Sequence, residues 1–492
     1  MHQLVTSLRI KDDGFFRKTK IIATIGPASD SPEVIEQLIL NGVNLFRFNF
    51  SHGSHSEHKE RLDKVRKVAE KLKAPIATLQ DLSGPKIRIT EVDANLSTLV
   101  DGQTVCIKKS QNGEKNLSNN QTILVEGLDP SHYLKPAESV LLDDGSIVLK
   151  VESVTADEVI ARVRKGGVLR SKNGIAFPDS EIDLPATTEK DIQDLNWGLE
   201  NEIDYVAISF VNCAKDLKIA RDHAKNKGKE VSLIAKIERR SALENIDQII
   251  EASDGIMVAR GDLGLELPLE TIPAIQRRLI EACNRQGKPV IVATQLLHSM
   301  IKALRPTRAE VSDVASAVMG GADAVMLSEE TAIGQHPVES VEYLAKIAQA
   351  AEQVFNFEEY RARFGVIQAS SVPEAIAYAA CAAAVRISAD ALVVCTETGN
   401  SARLVAKYRP QQPFFAVTHQ QKTFRKMSLF WGLRPILAKR ADDHASESAT
   451  ALSAVQKTSN LPNGSLAVIT GGMFVNQPGS TNILEIRKME YL

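Results

Sequence analysis

The chain has 492 residues, of which 43% are hydrophobic and 24% are charged, as expected for a folded protein of about three domains. Its 59 lysines and arginines against 61 aspartates and glutamates give a net charge of −2, which argues against nucleic-acid or membrane-surface binding through bulk charge. No apolar run approaches the roughly 18 residues of a membrane span. Five cysteines without a C-x-x-C pair argue against a disulfide framework or a zinc ribbon. With no secretory signal at the N-terminus, we expect a cytoplasmic protein.

Eight short hydrophobic runs recur through the first two-thirds of the chain. They are Thr19–Ile25, Asn44–Phe48, Pro75–Leu79, Asp204–Ser209, Val231–Lys236, Gly255–Ala259, Pro289–Ala293 and Asp323–Leu327. Helix candidates separate most of them; one begins at Ser31-Pro32 and ends at Asn41-Gly42. Continuously hydrophobic strands that alternate with helices indicate a parallel sheet covered on its outer face. Eight such units predict an α/β fold of the (β/α)₈ TIM-barrel type rather than an open sheet.

The alternation is interrupted once, between the third and fourth runs. The segments Gln103–Lys108, Thr122–Glu126 and Ser139–Arg164 are typical of short strands, and turn signals such as Asp144-Gly145 separate them. We predict a small all-β domain inserted after the third barrel strand, where it can act as a lid.

After Gln349 the alternation resumes in a new register. A helix near Pro373–Ser388 precedes predicted strands at Ala391–Cys395, Pro413–Thr418, Leu433–Ala438, Ser465–Thr470 and Asn482–Lys488. This pattern predicts a separate C-terminal α/β domain. The predicted division is an N-terminal segment (1–17), the barrel (18–85 and 186–354), the lid (86–185) and the C-terminal domain (355–492).

Charged or hydroxyl residues follow seven consecutive predicted barrel strands, from the second to the eighth. The segments that end these strands contain Arg47, Asn49, Ser51 and His52, then Asp81, Lys86 and Arg88, then Ser209, Lys236, Glu238, Arg260, Asp262, Thr294 and Ser328. Any one of these would be explained as a solvated loop residue. Because barrel active sites form at the carboxyl ends of the strands, seven together predict a functional rim.

The residue types on this rim favour phosphate and metal chemistry. Glu238 and Asp262 are hard oxygen donors that suit Mg²⁺ or Mn²⁺. Lys236 shares a strand face with Glu238, where it could stabilise a transferring phosphoryl group or an enolate, although a structural salt bridge is the alternative. Arg47 and Arg88 offer bidentate phosphate contacts. No Walker A, G-x-G-x-x-G or H-E-x-x-H sequence occurs, which argues against a P-loop kinase, a Rossmann dehydrogenase and a zincin.

The chain resembles pyruvate kinase from about Thr19 to Leu492. The resemblance rests on Lys18–Pro27 (KTKIIATIGP), Arg47–Gly53 (RFNFSHG), Gly84–Arg88 (GPKIR), Lys236–Glu238 (KIE), Met257–Gly264 (MVARGDLG), Ala293–Gln295 (ATQ), Arg305–Glu310 (RPTRAE) and Met326–Thr331 (MLSEET). It implies phosphoryl transfer from phosphoenolpyruvate to ADP in glycolysis, giving ATP and pyruvate. It also implies a homotetramer.

The resemblance implies a role for each matching residue. Glu238 and Asp262 would hold the divalent metal, and Lys236 would stabilise the phosphoryl group and the enolate. The substrate carboxylate would be bound by Gly261, Asp262 and Thr294, and Thr294 would lie on the proton path. The catalytic set is Lys236, Thr294, Arg47 and Arg88, and the expected nucleotide contacts are Arg47, Asn49, His52, Arg88 and Lys172.

One departure concerns the monovalent cation that many members of the family require. The matching region comprises Asn49, Ser51, Asp81, Leu82 and Lys86, and those members usually have Thr and Glu where this chain has Leu82 and Lys86. The pair resembles the branch in which a lysine ammonium replaces K⁺. We therefore expect activity without K⁺, with Lys86 supplying the charge. The alternative is that Lys86 points into solvent.

The C-terminal domain carries a candidate effector site. Small and hydroxyl residues lead into a predicted helix at Thr396, Thr398, Gly399, Asn400 and Ser401. Such a turn can bind phosphate, and the family binds sugar-phosphate or nucleotide activators here; an ordinary strand–turn–helix connection is the alternative. The Pro478–Thr481 loop could close over the ligand.

Two rival functions remain possible from the residues. A catalytically inactive metabolite sensor is disfavoured because Lys236, Glu238, Asp262 and Thr294 are all present. A lyase or aldolase with Lys236 as a Schiff base would need this lysine to lie away from carboxylates, whereas Glu238 shares its strand end.

Overall fold

The structure is a computed structural model that describes residues 17–93, 97–110, 117–180, 182, 184–364, 369–459, 461–473, 479 and 481–489. The predicted N-terminal segment lies almost entirely outside these residues.

Eight parallel strands close into the predicted barrel. They are β1 (Lys20–Thr24), β2 (Val43–Asn49), β3 (Ala77–Asp81), β4 (Tyr205–Ile208), β5 (Leu233–Ile237), β6 (Gly255–Ala259), β7 (Val290–Ala293) and β8 (Ala324–Leu327). Pairing of β1 with β8 closes the ring, and Leu79 of β3 lies opposite Tyr205 of β4 although the whole lid separates them in the chain. The predicted (β/α)₈ barrel is therefore confirmed.

Helices surround the barrel, and a side chain caps the N-terminus of several of the longer ones. The longer ones are Pro32–Leu40, His55–Lys71, Glu189–Glu200, Ala214–Asn226, Ile272–Gln286, Arg308–Met319 and Pro337–Gln353. The shorter ones are Arg240–Glu244, Ile246–Ala252, Arg260–Glu266, Glu329–Ala332 and Phe357–Phe364. Ser31 caps the first helix by accepting a hydrogen bond from the Val34 N–H, and the helix ends at Asn41 as predicted.

Successive side chains of each barrel strand face two different cores. In β1, Ile21 and Ala23 pack against the helices, whereas Ile22 faces the barrel interior. Because both faces are buried, the barrel strands appear in the sequence as continuous hydrophobic runs.

The inserted lid has its own sheet and core, as predicted. Its six-stranded sheet contains Thr104–Lys109, Thr122–Val125, Ser139–Leu142, Ile147–Val154, Val159–Lys165 and Ile175–Ala176, and a separate pair joins Thr98–Leu99 to Gly167–Val168. Buried side chains such as Ile107, Val140 and Leu149 form the lid core. The two-residue strands are too short for the alternation that predicts a strand.

The C-terminal domain has a five-stranded sheet. Its strands lie in the order Leu433–Leu437, Phe414–Thr418, Ala391–Cys395, Leu466–Gly472 and Thr481–Lys488, and the last is antiparallel to its neighbour. The helices are Val372–Arg386, Asn400–Lys407, Gln421–Lys426 and His444–Thr458.

This domain packs against the amino ends of the barrel strands. Arg409 pairs with Asp323, just before β8, and Arg425 pairs with Asp204, just before β4. The barrel interior continues into the C-terminal core through residues such as Met427. The carboxyl ends of the strands, which carry the predicted functional rim, therefore face away from this domain.

Candidate active site

A buried lysine near the end of β5 is surrounded by acidic groups. The Nζ of Lys236 lies 2.9 Å from Glu238 Oε1 and 3.2 Å from Asp81 Oδ1, and it donates a 2.7 Å hydrogen bond to Ser209 Oγ. Burial alone would lower the pKa of Lys236, but the two carboxylates outweigh it and raise this pKa well above its ordinary value. Lys236 is therefore a permanent cation held in one place.

Arg47, on β2, shares Asp81 with this lysine. Its Nε lies 2.7 Å from Asp81 Oδ2, and its Nη1 donates a 3.0 Å hydrogen bond to Thr24 Oγ1. Burial would raise the pKa of Asp81, but Lys236 and Arg47 together lower it. Asp81 consequently stays ionised and anchors both basic side chains.

The two predicted metal ligands come from adjacent strands. Glu238 follows β5 and accepts a 2.7 Å hydrogen bond from the Phe210 N–H, and Asp262 lies in the first turn of the helix that follows β6. Burial raises the pKa of Glu238, Lys236 opposes this shift, and the Asp262 charge adds to it. The carboxylates thus interact electrostatically.

This pair fits a hard divalent cation. Glu238 is buried, whereas 27% of the Asp262 side chain is exposed, so a metal can reach it. In the part of the chain that the structure describes, no group of three or more His, Cys, Asp or Glu side chains could hold a metal. Water and substrate oxygens would have to complete the coordination sphere, as is usual for Mg²⁺.

Thr294 and Gln295 follow β7 in left-handed backbone conformations, with φ of 68° and 55°. Such conformations are strained for non-glycine residues and often occur at functional sites. The Gly261 N–H donates a 2.9 Å hydrogen bond to Thr294 Oγ1, whose own hydroxyl donates to the Ala293 carbonyl at 2.6 Å. The three predicted carboxylate-binding residues Gly261, Asp262 and Thr294 are therefore brought together.

Arg260 supports this strained turn. Its Nη2 donates a 2.6 Å hydrogen bond to the Thr294 carbonyl, and its Nη1 lies within 2.7 Å of both carboxylate oxygens of Asp313. The side chain is 10% exposed. Nothing in the local sequence indicates this role, because Asp313 lies 53 residues further along the chain.

The predicted nucleotide contacts divide between the barrel and the lid. Arg88 Nη1 donates a 2.9 Å hydrogen bond to the Lys172 carbonyl, whereas the Lys172 ammonium pairs with Glu126 of the lid. The pKa of His52 is lowered by burial first and then by Arg88 and Arg47. His52 therefore lies near both arginines. The Lys172 ammonium, by contrast, is ion-paired with another residue of the lid.

Most of the residues that match the family's monovalent-cation site lie close together. Asn49 lies opposite Asp81 in the pairing of β2 with β3, and Asn49 Oδ1 accepts a 3.2 Å hydrogen bond from the Ser51 N–H. The Leu82 side chain is buried, and its carbonyl accepts a 2.6 Å hydrogen bond from Ser209 Oγ.

Lys86 is turned toward the predicted metal pair instead. Its Nζ lies 3.1 Å from Asp262 Oδ1, and among the described residues Asp262 is its one hydrogen-bond partner. Both side chains line a cleft of 590 Å³ that also contains Glu238, Phe177 of the lid and Arg239. A cleft of this size suits a small-molecule substrate.

The candidate effector turn connects the strand Ala391–Cys395 to the helix Asn400–Lys407. Gly399 has a φ of 87°, and its N–H donates a 3.0 Å hydrogen bond to Thr396 Oγ1. Ser401 hydrogen-bonds Thr481, while Thr398 is exposed.

Acidic groups also lie near this turn. Glu397 Oε2 is buried, and the pKa of Glu447 is raised, chiefly by burial and further by Glu397 despite the opposing effect of His444. The predicted Pro478–Thr481 loop lies partly outside the described residues.

Two family models and several known proteins match this chain. The family model "Pyruvate kinase, barrel domain" matches residues 16–341, and "Pyruvate kinase, alpha/beta domain" matches residues 374–487. The pyruvate kinase of Clostridium acetobutylicum is 39% identical over 475 residues, which cover 96% of this chain and all of the relative. Pyruvate kinase 2 of Synechocystis sp. is 41% identical over 96% of this chain and 79% of the relative. The pyruvate kinase of Sporosarcina psychrophila is 40% identical over 96% of this chain and 80% of the relative.

The described helices include none that is both apolar and long enough to cross a membrane.

The matching models together span both the barrel and the C-terminal domain, and the relatives match along almost the whole chain. The chain belongs to the pyruvate kinase family.

Proposed function

We propose that this chain transfers the phosphoryl group of phosphoenolpyruvate to ADP, giving ATP and pyruvate. The observation that carries this proposal is the position of Lys236, a permanent cation between Asp81 and Glu238 on the rim that also holds Asp262. A fixed positive charge in a buried site stabilises charge that develops on a transferring phosphoryl group and on an enolate.

Glu238 and Asp262 would hold Mg²⁺ or Mn²⁺. The metal, when bound, supplies Lewis-acid stabilisation of the phosphoryl oxygens. The chain itself contributes one buried and one accessible carboxylate, and Lys236 keeps the buried one from being left as an uncompensated charge.

The turn around Thr294 would bind the substrate carboxylate. The Gly261 N–H and the Thr294 hydroxyl lie side by side, so a carboxylate that displaces their present hydrogen bonds, to Thr294 Oγ1 and to the Ala293 carbonyl, could accept from both groups. Thr294 would also lie on the path by which a proton reaches the enolate carbon through water. Arg260 would act as a positioning residue, since it holds the Thr294 carbonyl and does not belong to the predicted substrate contacts.

The nucleotide would bind between barrel and lid, with Arg47, Asn49, His52 and Arg88 on the rim. Lys172 would contact the nucleotide once its ion pair with Glu126 is broken. Breaking this pair costs little free energy because both side chains are over 40% exposed.

Further parts of the proposal concern regulation and assembly. We propose that Lys86 removes the need for K⁺, that a sugar phosphate or nucleotide binds at residues 396–401, and that the enzyme is a cytoplasmic homotetramer. Support for the first point is the sequence difference itself, since Leu82 and Lys86 stand where members that require K⁺ usually have Thr and Glu.

The Schiff-base alternative is disfavoured. Such chemistry needs a neutral amine, whereas the pKa of Lys236 is raised by Asp81 and Glu238.

The test is pyruvate formation from phosphoenolpyruvate and ADP with Mg²⁺, measured in K⁺-free buffer and in K⁺ at equal ionic strength. We expect equal rates in the two buffers, and we expect the Lys236→Met variant to be inactive.

A large stimulation of the rate by K⁺ would contradict the role assigned to Lys86 but not the proposed reaction. Inactivity in both buffers, even with sugar-phosphate activators, would favour the sensor function, and borohydride trapping of a carbonyl substrate on Lys236 would favour a lyase.

A further inference from the structure

Lys86 connects the lid to the metal pair. It lies on the segment that leaves β3 and enters the lid, and its Cε lies 3.2 Å from the position that a Cβ on Gly174 would occupy. Its ammonium lies 3.1 Å from Asp262 Oδ1, on the barrel. The Lys86 side chain thus packs against Gly174 of the lid and forms an ion pair with Asp262 of the barrel.

Each carboxylate of the predicted metal pair, and Asp81 beside it, is ion-paired with a basic side chain. Asp81, Glu238 and Asp262 supply three negative charges, which face the positive charges of Arg47, Lys236 and Lys86. A divalent cation that binds to Asp262 therefore places a second positive charge beside the Lys86 ammonium and repels it.

Lys86 is the most easily displaced of these three cations. The side chains of Arg47 and Lys236 are each 12% exposed, and both contact the buried Asp81. Lys86 and Asp262 are 31% and 27% exposed. Partly exposed ion pairs are weak and exchange readily, whereas buried ones are costly to break.

We propose that Lys86 is the resident counter-cation of Asp262, which a divalent metal must displace, so that metal binding breaks a contact between lid and barrel. This inference rests on the metal role proposed above for Glu238 and Asp262. Once displaced, the ammonium is free to turn toward Asn49, Ser51 and Asp81, the region where the K⁺-replacing charge is predicted.

The test measures Mn²⁺ binding to the full-length protein without substrates, from the electron paramagnetic resonance signal of the free ion. Removing one nearby positive charge in Lys86→Gln should tighten Mn²⁺ binding by roughly tenfold. Lys86→Arg keeps the charge and should bind Mn²⁺ like the wild type. As a matched control, Arg162→Gln removes a lid cation that pairs with Glu152 and should leave binding unchanged.

The outcomes separate this inference from the proposed function. If Lys86→Gln binds Mn²⁺ no more tightly than wild type while Asp262→Asn loses binding, the counter-cation role is wrong and the metal site stands. Unchanged binding in both Asp262→Asn and Glu238→Gln would overturn the metal site and, with it, this inference.

Hydrogen exchange gives a second readout. Mn²⁺ should increase amide exchange in residues 86–88 and 172–174 of the wild type, because the Lys86–Asp262 contact is broken. In Lys86→Gln the same amides should exchange quickly before and after Mn²⁺ is added. Exchange in the wild type that does not respond to Mn²⁺ would contradict the coupling to the lid.

Discussion

At the scale of single residues, the candidate site depends on side chains whose charge is set by their neighbours. Lys236 would tend to lose its proton on burial, but Asp81 and Glu238 keep it charged. Thr294 would avoid a left-handed backbone, yet Arg260 and the Gly261 N–H hold it there. The charge of Lys236 and the conformation of Thr294 therefore depend on partners from other parts of the barrel.

Thr294 provides a test at this scale. Thr294→Val keeps the shape and the β-branch but removes the hydroxyl that meets the Gly261 N–H. We expect kcat for pyruvate formation to fall by roughly 10²-fold, the usual effect of losing one preorganised polar group at a reacting centre. Thr294→Ser keeps the hydroxyl and is the control; a fall of equal size in both variants would assign the effect to packing instead.

At the scale of elements, one glutamate joins two helices of the C-terminal domain. Glu374 lies in the first turn of the helix Val372–Arg386 and accepts hydrogen bonds from the Ser370 N–H and hydroxyl. It also pairs with the buried Lys407 at the end of the helix Asn400–Lys407. Burial would raise the pKa of Glu374, but these hydrogen bonds, that of Lys407 first, lower it to about 2.

This shift predicts an acid-sensitive contribution to stability. Because the folded pKa lies below the ordinary value of 4.5, the stabilisation is complete above about pH 4.5 and is lost as the pH falls toward 2. Glu374→Gln should lower the free energy of unfolding by about 1–2 kcal/mol at pH 7, less than the full pKa shift would give because solvent screens part of the interaction. Urea unfolding measured against pH should show the difference from wild type shrinking below pH 4.5.

The control is Glu342→Gln, which removes an exposed carboxylate paired with Lys346 one helical turn away. Its effect should stay within about 0.5 kcal/mol at every pH. A difference for Glu374→Gln that does not change with pH would contradict the assigned pKa.

At the scale of the whole molecule, the barrel is covered differently at its two ends. The lid lies over the carboxyl ends of the strands, where Lys86 meets Asp262. The C-terminal domain packs on the amino ends through Arg409, whose guanidinium contacts Asp323, Asn284 and Gly321. The candidate effector turn therefore belongs to the domain opposite the candidate active site.

Arg409 tests how firmly the two domains are joined. Arg409→Met leaves Asp323 buried and unpaired, so we expect a loss of about 3–5 kcal/mol in the free energy of unfolding. Trp431 fluorescence should report the change in urea, because its ring lies 4.9 Å from the Arg409 guanidinium. Adding Asp323→Asn should recover part of the loss; a double variant as unstable as the sum of the single ones would show that the pair is not coupled.

The sequence alone determined the barrel strands, the longer strands of the other two domains and the candidate rim. Continuous hydrophobic runs predicted all eight barrel strands, and charged residues after them predicted the rim with Lys236, Glu238 and Asp262. These features follow from local periodicity and from the rule that parallel strands end at one edge. The sequence also predicted a strand-rich insertion and a C-terminal sheet, both of which the structure contains.

Only the tertiary structure decided which of these residues touch. Arg260 with Asp313, Lys86 with Asp262 and Arg409 with Asp323 are 53, 176 and 86 residues apart. Local propensity and periodicity carry no information about such pairs, because their contacts form only when distant elements pack together. The same reason explains why the attachment of the C-terminal domain to the barrel end opposite the rim could not be predicted, although each domain could.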